Sequence, residues 1–74
     1  MAIDSELRAR AEWLRQKAAQ LLEIGRATTD GRLRDAYTAI VVEFDNAAIQ
    51  LDQLADRAAA EARANSAVNQ TPSP

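Results

Sequence analysis

The 74-residue chain contains no cysteine and no histidine. Disulfide staples are therefore excluded, and zinc, haem and iron–sulfur sites lose their usual ligands. The few serines (Ser5, Ser66 and Ser73) have no histidine to activate them, and two glycines do not make a phosphate-cradling loop. The longest uninterrupted apolar run, Ala39 to Val42, is far too short to span a bilayer. Met1 to Glu6 has no basic segment leading into an apolar one, so no secretory signal is expected. A formal charge of -2 supplies no global field to attract nucleic acid or an anionic membrane. These absences predict a cytoplasmic, non-enzymatic protein with no cofactor, no metal, no small-molecule substrate and no membrane partner.

What the chain does contain is a helical repeat. Leu33, Tyr37, Ile40, Phe44, Ala47, Leu51, Leu54 and Ala58 fall at alternating steps of four and three. That spacing draws a seam down one side of a helix that packs lengthwise on another. Leu7, Ala11, Leu14, Ala18 and Leu21 repeat in the same way, with more alanine. Two helices of one period joined by a short connection predict an all-α, antiparallel two-helix hairpin.

Helix 1 is expected over about residues 4–26, capped by Asp4 or Ser5. The turn is expected at about 25–30, with Gly25 as a candidate helix end and Thr29 or Asp30 capping the second helix. Glycine is also tolerated inside a helix for about 1 kcal/mol, which would let helix 1 run on to Arg26 or Ala27. Helix 2 is expected over about 31–64, and residues 65–74, ending Asn-Gln-Thr-Pro-Ser-Pro, as a disordered tail. Folding the chain about residue 29 sets Leu21 against Tyr37, Leu14 against Phe44 and Leu7 against Leu51. In that register the segment Ala55 to Ala64 overhangs the start of helix 1 by about 15 Å.

So short a chain buries only about 60% of its unfolded surface, and with disulfides and metals excluded, association is the natural route to stability. Val41, Val42 and Ile49 lie off the expected seam and widen the apolar surface beyond what one partner helix covers. Trp13, set among Glu6, Arg10, Lys17 and Gln20, is a candidate anchor. These four residues are the expected protein interface, and a homodimer closing into a four-helix bundle is the simplest solution. Isolated apolar residues are also normal on protein surfaces, so a hairpin exposing them singly is the competing expectation.

The carboxylates of helix 2 mostly point away from the seam and read as a solvated face. Helix 1 from Asp4 to Arg26 carries five positive and four negative charges, whereas Asp30 to Ala64 carries four and seven. Arg8, Arg15 and Lys17 would contact nucleic acid if two helix-1 faces met, as in small hairpin dimers that bind paired RNA loops. However, Asp4–Arg8, Glu6–Arg10 and Arg8–Glu12 have the spacing of ordinary intrahelical pairs, which favours a wet charged face.

Arg10-Ala11-Glu12-Trp13-Leu14-Arg15, Asp30-Gly31-Arg32-Leu33-Arg34, Phe44 and Ala47-Ala48 together resemble a group of short bacterial helical-hairpin proteins of unknown function. There, an Arg-Ala-x-x-Leu-Arg helix leads through an Asp-Pro-x-x-Arg turn to a helix with an aromatic and an alanine pair. Gly31 stands where proline is usual, and the connection here is longer. The resemblance spans about residues 8–57. It implies a small cytoplasmic protein and carries over no functional residues. The function expected is that of a small interaction or regulatory module binding itself or a protein partner through helix faces, with RNA binding as the alternative.

Overall fold

A computed structural model describes the backbone of residues 2–70 and the side chains of residues 2–66. Two helices account for nearly all of it: α1, Ile3–Ala27, and α2, Gly31–Gln70. They pack against each other as a hairpin, and no strand occurs among the described residues.

The start of α1 differs from expectation. Ala2 occupies the cap position and makes no side-chain cap bond, while Asp4 lies inside the first turn. Asp4 and Glu6 there act through charge, placed where the exposed amides of a helix start favour an anion. At the other end α1 runs through Gly25 to Ala27. Gly25 is helical with negative φ, so it does not serve as a left-handed terminator. Its value is close approach: a Cβ built there would stand 3.2 Å from the Tyr37 Cβ. Thr28–Asp30 forms the turn. Thr28 donates its hydroxyl to the Ile24 carbonyl at 2.7 Å, closing the end of α1. Asp30 caps α2 as expected, accepting from the Arg32 amide at 2.9 Å and from the Leu33 amide. Arg34 reaches back to the Thr28 carbonyl at 3.0 Å and ties the turn to the helix it launches.

The seam of α2 differs in phase from the expected one. Ala48 and Ala55 are completely buried and Val41 is half-buried, whereas Ile40 and Leu54 are exposed. The stripe facing α1 is therefore Tyr37, Val41, Phe44, Ala48, Leu51, Ala55 and Ala58, with Leu33, Ile40 and Leu54 turned outward and Ala47 at the margin. On α1 the buried positions are Ala11, Ala18 and Gly25, alternating with half-buried Leu7, Leu14 and Leu21.

Register supplies the physical reason. With Gly25 against Tyr37, one residue back on α1 for each residue forward on α2 brings Leu21 level with Val41 and Ala18 with Phe44. The same count brings Leu14 level with Ala48, Ala11 with Leu51 and Leu7 with Ala55. Along the four α1 residues Leu7 to Ala18 a large side chain meets alanine at every level, and Gly25 meets Tyr37 in the same way. The expected pairing of Leu21 with Tyr37 is thus displaced by one helical turn. Thr28 is extended, so the linker carries the chain past the end of α1 before α2 begins. Gly31–Ala36 is consequently exposed throughout.

The same shift shortens the overhang at the other end. Ala55 is buried and Ala58 and Ala59 are half-buried, so the segment expected to project is partly covered by α1. Helix α2 continues to Gln70, past the expected boundary at Ala64. The stretch Glu61–Gln70 contains neither proline nor glycine to stop it, and alanine favours propagation. The remainder of the expected tail, residues 71–74, lies outside the described residues. No helix among those described is long and apolar enough to cross a membrane.

Candidate functional site

Two packed helices leave two broad faces, one on each side of the seam, and their chemistry differs. The first is defined by ion pairs between the helices. Arg8 donates to the Asp56 carboxylate at 2.8 Å, and Arg15, seven residues on, donates to Asp52. A crevice beside them is lined by Arg15, Ala18, Ala19, Leu22, Val41 and Asp45. Each hydrogen bond raises the pKa of its arginine above the ordinary value, opposed by some loss of hydration and reinforced by attraction from neighbouring carboxylates. This is the charged face.

The expected interface residues divide between settings. Val41 sits half-buried in the interhelical seam, because the phase of α2 turns it toward α1. Val42 and Ile49 are exposed, at 52% and 50%. Ile49 lies one helical turn from both Asp45 and Asp52, so on this face it sits among carboxylates. Trp13 is 54% exposed and lies toward the opposite face, its ring beneath the Lys17 ammonium at 5.5 Å from the centroid.

The three residues considered for nucleic acid are thereby accounted for. Arg8 and Arg15 are bound to aspartates of α2, and Lys17 stacks on Trp13. All three cations are directed at their own chain, and the pairing of Arg8 and Arg15 across the seam accounts for their heptad spacing.

The second face carries residues that periodicity alone assigned to the core. Leu33, Ile40, Ala47 and Leu54 recur every seven residues along α2, immediately beside the seam and away from Arg8 and Arg15. Across the groove, α1 contributes Ile3, Arg10, Lys17 and Ile24 at the same interval, with Trp13 along the outer edge. Six of the nine exposed large apolar residues lie here: Ile3, Trp13, Ile24, Leu33, Ile40 and Leu54. The α2 stripe looks like a core because of its bulk. The distinguishing signal is on α1, where Ala11, Ala18 and Gly25 mark a heptad of small residues whose leucine neighbours need alanine opposite them. Only the Val41–Ala48–Ala55 phase of α2 supplies such partners.

Comparison with protein-family models, with curated proteins and with solved structures gave no match, and nothing in it bears on the resemblance to bacterial helical hairpins.

Proposed function

We propose that the chain is a non-enzymatic helical interaction module that works as a homodimer, two hairpins closing into a four-helix bundle in the cytoplasm. The observation that carries this reading is the composition of the hairpin's interior. Every fully buried position among the described residues is alanine or glycine. Leu7, Leu14, Leu21, Tyr37, Phe44 and Leu51 are all half-buried. A slab of two helices encloses nothing larger than a methyl group between its axes, so each bulky seam residue keeps one side open.

Surface area points the same way. The chain exposes 5808 Å², whereas a compact monomer of 8.1 kDa exposes about 4,500 Å². The projecting end of α2 and the two open broad faces both contribute to the excess. A standard interface takes about 800 Å² from each partner, which the excess accommodates.

Self-association makes stability depend on concentration, because the dimer binds its second copy and the unfolded chain does not. The melting temperature, followed by the helical signal over a hundredfold range of protein concentration, is expected to rise with concentration. A melting temperature that stays constant across that range overturns the reading.

A further inference from the structure

We infer that the second copy docks on the face bearing Leu33, Ile40, Leu54 and Ile24, turned over about the long axis so that each α1 lies along the partner's α2. This rests on the proposed dimer and specifies its surface and orientation. The occupant is identified by three properties of the face.

The first is its straightness. Leu33, Ile40, Ala47 and Leu54 keep a strict seven-residue interval over three heptads. Such a stripe keeps a constant offset from the seam, which has the same period, so what fits it is another helix that coils with the same pitch over a comparable length. A second copy supplies two. A globular partner would need only a local patch, not one extending most of the way along the hairpin.

The second is the contrast between the faces. Opposite this surface, Ile49 and Val42 are interspersed with Asp45, Asp52 and Asp56, two of them held by Arg15 and Arg8. Burying that side would strip water from two ion pairs and an additional carboxylate. The apolar face brings no interhelical ion pair with it. It carries two cations: Lys17 is half-buried already, its ammonium over Trp13, and Arg10, one heptad away, is exposed, with a stem long enough to keep its guanidinium in water at the edge of an interface.

The third is charge complementarity between its two edges. Along the outer edge of α1 the order is Glu6, Trp13, Gln20; along the outer edge of α2 it is Glu43, Gln50, Arg57. In the antiparallel register these come level in pairs: Glu6 with Arg57, Trp13 with Gln50 and Gln20 with Glu43. The width of the hairpin separates them within one chain. Rotation of a second copy by a half-turn about the long axis brings the α1 edge of one hairpin over the α2 edge of the other at the same level. The Glu6–Arg57 pair then forms twice in the dimer, once in each direction, and Trp13 meets Gln50, whose amide is a suitable neighbour for an indole. Lys17 comes within reach of Glu43 on the second copy.

Sedimentation equilibrium on the full chain and its variants tests this directly. Wild type is expected at twice the chain mass, and Leu54→Asp is expected to raise the dimer dissociation constant roughly a hundredfold or more, since two carboxylates lose water without partners. Ile49→Asp is expected to leave the mass unchanged. The converse result, Ile49→Asp dissociating while Leu54→Asp stays dimeric, overturns this face and leaves the dimer standing. Wild type at the mass of a single chain overturns both. A charge exchange separates interface from folding: Glu6→Arg and Arg57→Glu should each weaken the dimer, and the double variant should recover most of the loss. Losses that simply accumulate in the double variant overturn the orientation.

Discussion

Gly25 and Gly31 show how one residue type serves two purposes in a short chain. A Cβ at Gly31 meets nothing within 4 Å, whereas at Gly25 it presses on Tyr37. Gly31→Ala is therefore expected to stabilise the hairpin by up to about 1 kcal/mol through helix propensity and a less free unfolded chain. Gly25→Leu is expected to cost about 1–3 kcal/mol, because the helices must separate at the turn to admit it. Urea denaturation of the two variants beside wild type checks both signs. Asp30→Ala, measured the same way, should cost about 1 kcal/mol by leaving the Arg32 and Leu33 amides without their acceptor. The arginine pairs have a defined pH signature. A pKa raised by folding contributes stability that is complete below the ordinary arginine value and is lost only as pH climbs through the raised one. Deprotonation of Arg8 and Arg15 is thus expected to contribute no slope to stability between about pH 6 and pH 10, whereas added salt should weaken both pairs. A stability curve sloping across that range in Arg8→Gln by a different amount from wild type contradicts this.

At the scale of the elements, α1 and the turn were legible and the phase of α2 was not. The α1 repeat has one apolar stripe, Leu7–Ala11–Leu14–Ala18–Leu21, so only one face qualifies as the seam. Asp30 carried the turn because a carboxylate ahead of a helical repeat has one obvious use. Helix α2 instead presents two stripes that share Tyr37, Phe44 and Leu51. Hydrophobic bulk selects Ile40 and Leu54, yet volume matching against α1 selects Val41, Ala48 and Ala55. Packing density decides between them, because leucines on α1 leave room for only a methyl group opposite. The displaced register came from the extended linker, whose length along the axis is not readable from its composition. Ala48→Leu is accordingly expected to destabilise the hairpin by about 1–3 kcal/mol, with Ala60→Leu, at an exposed position, within about 0.5 kcal/mol of wild type. Equal effects at the two positions would return the seam to its expected phase. Arg15→Asp should likewise lower the melting temperature and Asp52→Arg in the same chain restore it, since their pairing spans the two helices.

At the scale of the whole molecule, the hairpin is a single layer with extents of 71 × 16 × 10 Å. One layer encloses only alanine and glycine among the described residues, and stable domains are built from two or more. The candidate site shows why this mattered for reading function. Association is the expectation that length and the lack of cysteine and histidine raise, because those absences remove the other staples available to a small fold. The surface proposed for it was hidden, since the residues assigned to the core on bulk are those left exposed. Two ion pairs join the helices on the charged face, and the apolar face is the one proposed to meet a second copy. The measurement that tests this most directly is the molar mass of the wild-type chain in solution, by light scattering across a range of concentrations at moderate salt. A concentration-dependent approach to twice the 8.1 kDa chain mass is expected. A mass of one chain at every concentration, with the helices intact, would contradict it.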